Sequence, residues 1–268
     1  MPKQPLWVPS EERRRQANLT RFLDHVNGAF GLSLASYAQL WDWSVAHIPQ
    51  FWAALWDFAE IRASRRCDAV VDDLDRFPGA RWFPGARLNF AENLLRHGDS
   101  PRPALIFRGE AGRRAVMTYA ELRQAVSRAA AALREAGVQP GDRVVGYLPN
   151  VIETAVAMLA ATSVGAVWAP CATDIAPAAA LDRLGQIEPV VLFAADGYVY
   201  KGRTFDARGN AAQVAAGIPT LRRVVVVSYP GGRSGDPRNP EAANTERPGV
   251  GDDAGGAVDL RGIPHAVG

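Results

Sequence analysis

Short apolar runs alternate with helical patterns in the second part of the chain, and this alternation constrains the fold more than any other feature. The apolar runs lie at residues 144–148, 166–170, 190–195 and 223–228. Between them, apolar residues recur at the spacing of a helix face. Strands that alternate with helices form βαβ units with parallel strands. We therefore predict an α/β fold, in which a largely parallel sheet with flanking helices follows an aromatic-rich helical leader.

Local signals mark where the predicted helices begin and end. Thr118 and Glu121 have the spacing of a capping box, which predicts a helix start, and Gly137 predicts the end of that helix. Asn150 is predicted to cap the following helix, which runs to about Ser163.

The leader is rich in tryptophan, with six of the seven tryptophans before residue 97. Such side chains bury large areas. Helical spacing of four apolar residues predicts a core-facing stripe, formed by Tyr37, Leu40, Trp41 and Val45. We divide the chain into three segments, the leader at 1–97, the α/β segment at 98–229 and a Gly/Pro-rich irregular tail at 230–268 that ends abruptly, as a truncated chain would.

Charge and composition exclude several classes of function. The 30 Lys and Arg residues nearly balance the 28 Asp and Glu residues, so no basic stripe for nucleic acid is expected. The N-terminus lacks the apolar region of a secretory signal, and the two cysteines, Cys67 and Cys171, form no disulfide framework, which favours the cytoplasm. The uncharged stretch between Glu153 and Asp174 is interrupted by Gly165, so we predict a buried helix and strand there rather than a membrane span.

Ligands of parallel sheets bind beyond the carboxyl ends of the strands. This rule directs attention to the predicted loops at 171–176 and 196–203. Asp174 lies in the first loop, and the second contains Lys201 and Arg203, two cations that can bind an anion. A solvated basic turn is the alternative interpretation of the second loop.

Other candidate sites are weaker. Cys171 has no accompanying His and acid signature, and we interpret it as a buried small apolar residue. The glycine-rich segment 231–235 follows a strand but lacks the Lys-Ser/Thr pair of a phosphate loop. The four histidines are too far apart for a zinc motif, so no metal site is expected.

Several segments have a recognisable family pattern. They are LWDWSV with FWAALWDF, then GARWFPGARLNFAENLL, then MTYAELRQAVSRAAAALREAGVQPGDRVVGYLPNVIETAVAMLAATSVGAVW, then LDRLGQIEPVVLFAADGYVYKGR, and finally DLRGIPHAVG. Together they resemble the N-terminal half of the acetoacetyl-CoA synthetases, which are adenylate-forming acyl-CoA synthetases. The resemblance runs from near residue 7 to about 229. The leader and FPGARLNFAENLL are its specific part, since the rest is shared by the whole superfamily.

The resemblance implies a two-step ligase reaction. ATP and acetoacetate form an acyl-adenylate and pyrophosphate with the help of Mg²⁺, and the CoA thiol then takes the acyl group. In such enzymes the phosphate loop, the adenine and ribose motifs and the catalytic lysine belong to segments that are not found in these 268 residues. We therefore expect no catalytic residue here, no tight binding of ATP, Mg²⁺ or CoA, and no ligase activity from this chain alone.

The resemblance also implies which residues lie along CoA. They are Ala172, Thr173, Asp174, Tyr200 and Arg203. Arg203 matches a phosphate-binding arginine of the similar acetyl-CoA synthetases. Tyr200 stands where those enzymes have another arginine, Thr173 and Asp174 replace a Gly-Gly pair, and Asp174 would oppose a nearby phosphate.

Three hypotheses follow from the sequence. The first is a truncated acetoacetate-CoA ligase, and the second is a part of an acetyl- or propionyl-CoA synthetase. The third is a non-catalytic remnant that binds a nucleotide or a protein. In each case, a sheet edge and a leader without their covering would leave apolar surface that favours self-association.

Overall fold

The computed structural model describes residues 6–112 and 114–229. The predicted tail at 230–268, with the glycine-rich segment 231–235 and DLRGIPHAVG at 259–268, lies outside the described residues. Among the residues that the structure describes, no helix is both long enough and apolar enough to cross a bilayer.

The chain divides between Leu88 and Asn89 into two units, each with its own apolar core. The sequence suggests a later boundary, after residue 97. The division falls earlier because the short helix Phe90–Leu94 packs within the second unit. Just before it, the Asn89 side-chain amide donates a hydrogen bond to the Thr162 carbonyl oxygen at 3.0 Å.

The first unit is a set of helices followed by an irregular segment. The helices are α1 (Glu11–Arg15), α2 (Asn18–Phe30), α3 (Tyr37–Ala46) and α4 (Ile48–Phe58). Ser36 caps α3 by accepting a hydrogen bond from the Gln39 amide at 3.3 Å, and Gly31 ends α2 in the left-handed conformation. The buried core of this unit consists of Phe22, Val26, Leu40, Trp43 and Ala54.

The predicted core stripe on α3 is only partly correct. Leu40 is buried, at 4% exposed, but Tyr37, Trp41 and Val45 are exposed. The reason is geometric: these three residues follow each other at intervals of four and share one helix face, whereas Leu40 shares the opposite face with the buried Trp43. Apolar residues on both faces of the helix made the sequence pattern ambiguous.

The second unit contains the predicted parallel sheet. Its strands are β1 (Pro103–Arg108), β2 (Arg114–Thr118), β3 (Arg143–Tyr147), β4 (Val167–Cys171), β5 (Val191–Ala195), β6 (Gly197–Tyr200), β7 (Arg203–Asp206) and β8 (Arg223–Val227). Four of them form a parallel sheet in the order β4-β3-β5-β8. β1 pairs with β2, and β6 pairs with β7, in two antiparallel hairpins. The predicted α/β fold with a largely parallel sheet is therefore confirmed.

Helices cover both faces of the parallel sheet. They are α5 (Phe90–Leu94), α6 (Tyr119–Glu135), α7 (Ile152–Ser163), α8 (Pro177–Leu184) and α9 (Arg208–Ala216). Along β3, Val144 points into the cluster formed with α6 and α7. Val145 and Tyr147 point into the second cluster, with α8 and α9. Because helices cover both faces of the sheet, successive side chains of the strand are buried on either side. Residues 144–148 therefore form a continuous apolar run instead of an alternating pattern.

The structure confirms most of the local signals. The Thr118 hydroxyl accepts from the Glu121 amide at 3.2 Å and the Glu121 carboxylate accepts from the Thr118 amide at 2.7 Å, which is the predicted capping box. Gly137 has φ 77 just after the end of α6. The prediction that Asn150 caps α7 is wrong, since the cap position is Val151, whose side chain makes no capping hydrogen bond. The uncharged stretch forms the predicted helix and strand, α7 and β4.

Candidate functional site

The segment that follows β4 lies at the carboxyl edge of the sheet. Ala172 and Asp174 are exposed there, whereas the Thr173 side chain is buried, at 3% exposed. The Ile175 amide donates to the Ala172 carbonyl oxygen at 3.2 Å, which closes a tight turn. Two of the three predicted residues of this segment can therefore meet a ligand directly, and Thr173 contributes to the fold of the turn.

The side chain of Tyr147 contacts this turn from the core of the second unit. Tyr147 is the last residue of β3, pairs with Cys171 in the sheet register and is fully buried. Its hydroxyl donates to the Ile175 carbonyl oxygen at 2.5 Å and lies 3.2 Å from the Thr173 carbonyl oxygen. The turn thus directs two backbone carbonyls into the core.

The environment of Tyr147 connects the two predicted loops. Burial raises the pKa of its hydroxyl, and the nearby acidic groups of Cys171 and Tyr198 raise this pKa further. A hydrogen bond from the Asn210 side chain acts in the opposite direction, and the Asp174 carboxylate adds a smaller increase to the pKa of Tyr147. Asp174 belongs to the first loop and Tyr198 to the second, so both loops lie near the same hydroxyl.

The second predicted loop is not a loop. Residues 197–206 form the β6–β7 hairpin, with Tyr200 paired to Arg203 across a two-residue turn. Lys201 and Gly202 have φ 50 and φ 74, as required at both central positions of a type I′ turn. Two short runs of β-forming residues separated by a two-residue turn with glycine are a hairpin signal, which the sequence analysis missed.

The hairpin carries the two remaining predicted residues. Tyr200 is 48% exposed, and the Lys201 ammonium lies 5.2 Å from the centre of its ring. On the other side of the turn, Arg203 is exposed. Within residues 6–112 and 114–229, neither Lys201 nor Arg203 takes part in an ion pair. The hairpin therefore carries two cations that form no ion pair among the described residues, beside an aromatic ring, and such a surface can bind an anionic nucleotide.

The carboxylate of Glu110 binds the turn of this hairpin, and no sequence signal pointed to this residue. Glu110, between β1 and β2, accepts hydrogen bonds from the Lys201 amide at 3.1 Å and the Gly202 amide at 2.5 Å. These partners lie 91 and 92 positions away in the chain. No local pattern could have identified such a contact.

Two further predictions concern cysteine and metals. Cys171 is 6% exposed and belongs to the core cluster beneath α8 and α9, which confirms its interpretation as a buried apolar residue. The part of the chain that the structure describes contains no group of three or more His, Cys, Asp or Glu side chains that could hold a metal ion.

Comparison with known proteins gives two family matches. The family model of AMP-binding enzymes matches residues 90–256. The model of the acetyl-coenzyme A synthetase N-terminus matches residues 37–94.

Individual relatives match over most of this chain. The acetoacetyl-CoA synthetase of Danio rerio is 43% identical over 231 residues, which are 85% of this chain and 34% of the relative. The malonamoyl-CoA synthetase of Penicillium aethiopicum is 39% identical over 88% of this chain and 34% of its own length. The solved structure of acetoacetyl-CoA synthetase from Streptomyces lividans superposes with a TM-score of 0.81 at 43% identity, over 87% of this chain and 36% of that chain. The chain spans about a third of the length of these relatives.

Proposed function

The chain belongs to the AMP-binding enzyme family, and on this premise we propose that it supplies the CoA-facing part of an acetoacetate-CoA ligase. The proposed reaction converts ATP, acetoacetate and CoA into AMP, pyrophosphate and acetoacetyl-CoA through an acyl-adenylate. The observation that most directly supports acetoacetate as the substrate is the 43% identity to an acetoacetyl-CoA synthetase over 85% of the chain. The family resemblance predicted from the sequence is confirmed by these matches.

In this proposal the β6–β7 hairpin binds the nucleotide end of CoA. The exposed guanidinium of Arg203 has no ion-pair partner among the described residues and pairs with a phosphate, for which its planar donors are well suited. The half-exposed ring of Tyr200 offers a face on which the adenine can stack. The resemblance implies an arginine at the position of Tyr200 in the acetyl-CoA synthetases, and in this proposal the hairpin here replaces that charge contact by a stacking contact.

The turn after β4 has a different role. Asp174 is exposed, and its carboxylate repels a phosphate. It therefore faces a part of CoA that donates hydrogen bonds, such as a hydroxyl or an amide N–H. Ala172, two residues before Asp174, is small and exposed and leaves room for the ligand, whereas Thr173 between them is buried.

ATP and Mg²⁺ are needed for the adenylation step, in which the ion binds mainly to substrate phosphates, waters and one or two carboxylates. The described residues contain no group of three or more His, Cys, Asp or Glu side chains that could hold such an ion by themselves. We assign no metal-dependent step and no catalytic residue to them. We therefore propose that this chain alone binds CoA weakly and does not complete adenylation. We place it in the cytoplasm, since both of its cysteines are free, as a reducing compartment favours.

One observation favours a different carboxylic acid as the substrate of the ligase. The segment at residues 37–94 matches the N-terminus of acetyl-coenzyme A synthetases, so acetate or propionate is the alternative substrate. A non-catalytic role in binding a nucleotide or a protein is a further alternative, and it predicts binding without turnover even when the segments found in the longer relatives are supplied.

The proposal is tested by CoA binding and by pyrophosphate release. Isothermal titration of the purified chain with CoA is compared with that of Arg203→Ala. A charge-assisted hydrogen bond contributes about 1.5–3 kcal/mol, so we expect the affinity to fall by about tenfold or more. The control is Arg134→Ala, because Arg134 is an exposed arginine in the last turn of α6, which leads to the amino edge of the sheet. Its affinity should equal that of the unchanged chain.

Pyrophosphate release is measured with ATP, Mg²⁺, CoA and either acetoacetate or acetate. We expect none from the 268-residue chain, and release with acetoacetate once it is fused to the downstream part of the Streptomyces relative. Release with acetate alone would transfer the assignment to acetyl-CoA synthetase. Equal CoA affinities of the Arg203→Ala and Arg134→Ala variants would contradict the CoA site.

A further inference from the structure

The contact between Glu110 and the hairpin turn uses both carboxylate oxygens. Oε1 accepts from the Lys201 amide and Oε2 from the Gly202 amide. In a two-residue turn, the N–H groups of the central residues point away from the hairpin and cannot be satisfied by its own ladder. Glu110 therefore supplies acceptors that the hairpin lacks. Hydrogen bonds to an ionised carboxylate are roughly twice as strong as hydrogen bonds between neutral groups.

Two arginines near Glu110 are possible ion-pair partners for its carboxylate. Arg108 and Arg114 are register partners at the ends of β1 and β2 and line an open cavity with Gly109 and Gly112. Among the described residues, Glu110 forms an ion pair with neither of these arginines. Its carboxylate binds the two backbone amides of the turn instead. The contact therefore fixes the position of the turn rather than neutralising a nearby cation.

A fixed turn also fixes the residues that flank it. Tyr200 and Arg203 pair directly across the turn, and their side chains are exposed. Since Glu110 occupies the amides, a ligand at this hairpin meets side chains and not the backbone N–H groups. Without Glu110, the turn would have only water as acceptor, and Arg203 would have to be ordered when the ligand binds, at a cost in affinity.

We propose that Glu110 is a positioning residue for anion recognition, which holds the β6–β7 turn so that Arg203 is pre-ordered for a phosphate of CoA. This inference rests on the proposed function, because CoA is the anion that the proposed function places at the hairpin. The opposite effect also has a physical basis, since a carboxylate close to the turn could compete with the phosphate. The two effects change the affinity for CoA in opposite directions.

The contact itself is tested by amide hydrogen exchange, without any ligand. In Glu110→Ala, the amides of Lys201 and Gly202 should exchange faster than in the unchanged chain, and Glu110→Gln should be intermediate because one amide oxygen remains as acceptor. The matched control is Glu135→Ala, an exposed glutamate at the end of α6. Exchange at the turn that is the same in Glu110→Ala and Glu135→Ala would overturn the inference.

The positioning role is tested by CoA titration in a double-mutant cycle. Glu110→Ala should weaken CoA binding by about threefold to tenfold, and the same change made in the Arg203→Ala background should have no further effect. A residue that merely stabilises the fold would give equal losses in both backgrounds, and that result overturns the inference. Tighter binding by Glu110→Ala would show competition and overturn it as well.

If the proposed function is wrong, the CoA affinities of the unchanged chain and the variants follow a different pattern. If the unchanged chain does not bind CoA, or if Arg203→Ala binds it as well as the unchanged chain, the CoA role of the hairpin is wrong and the inference falls with it. If Arg203→Ala loses affinity while Glu110→Ala does not, only the role of Glu110 is wrong.

Discussion

Tyr147 joins the core of the second unit to the candidate site through hydrogen bonds from its buried side chain. Replacing it by Phe removes the hydroxyl and leaves the Ile175 carbonyl oxygen without this donor. This hydrogen bond is part-buried, and a typical intramolecular hydrogen bond contributes about 0.5–1.5 kcal/mol. We expect the free energy of unfolding to fall by this amount in urea denaturation. The control is Tyr37→Phe, since Tyr37 is 63% exposed, and a loss of the same size in this variant would contradict the assignment.

The same variant has a second readout, at alkaline pH. The folded chain raises the pKa of Tyr147 above its ordinary value of 10.0, mainly because the hydroxyl is buried. The unfolded chain therefore loses this proton first, and the contribution of Tyr147 to stability is present below pH 10 and is lost as the pH rises through the raised pKa. In Tyr147→Phe, thermal unfolding should show a smaller alkaline loss than in the unchanged chain.

Residues differ in how far the sequence predicts their roles. The capping pair of Thr118 and Glu121 could be predicted because its members lie three positions apart and the geometry of a helix start is local. The partners of Tyr147 are 26 and 28 positions away, and those of Glu110 are 91 and 92 positions away. Such contacts depend on the assembled fold, and periodicity gives no information about them.

At the scale of elements, β3 depends on a glycine for its packing against β4. A Cβ at Gly146 would lie 2.7 Å from Cη2 of Trp168, whose ring also contacts Phe193 edge to face. The indole of Trp168 is partly buried and packs against the core, so it cannot move aside easily, and Gly146→Ala should lower the free energy of unfolding by about 1–3 kcal/mol in chemical denaturation.

A glycine with open space around it provides the matched control for this change. Gly209 lies in α9, and a Cβ added there would have no neighbouring atom of the described chain within 4 Å. Alanine is the better helix former by about 0.5–1 kcal/mol. Gly209→Ala should therefore leave stability unchanged or raise it. If both substitutions had the same effect, the contact with Trp168 would not be the cause.

The elements of the sheet were predictable for a physical reason that does not apply to the hairpin. Residues 144–147 of β3 and all residues of β5 are buried, so the sequence has no charged residue in these runs. All four residues of β7 are exposed, so burial imposes no apolar pattern on that strand. The sequence therefore predicted the sheet correctly, but it did not predict that one of the two candidate loops is the β6–β7 hairpin.

At the scale of the whole molecule, the described sheet has two edges, formed by β4 and β8. Val167 on β4 is 52% exposed and Val226 on β8 is 40% exposed. Unpaired strand edges with exposed apolar side chains favour pairing with another chain. We therefore expect the 268-residue chain to self-associate as its concentration rises.

Val226→Lys tests this expectation, since a charge on an edge strand opposes strand pairing. Sedimentation velocity should show less association than for the unchanged chain. Val45→Lys is the comparison, because Val45 is also an exposed valine but lies on α3 in the first unit. If Val45→Lys rather than Val226→Lys suppressed association, the leader and not the sheet edge would be the contact surface.

The contact of Glu110 with the β6–β7 turn also bears on the order of events in folding. It closes a loop of more than 90 positions, and this loop contains β3, β4 and β5. Closing a loop of this length in a disordered chain is entropically unfavourable, whereas the hairpin alone can form within microseconds. The contact should therefore form only after the intervening strands have paired, and slow exchange of the two turn amides during refolding would mark the completion of the sheet.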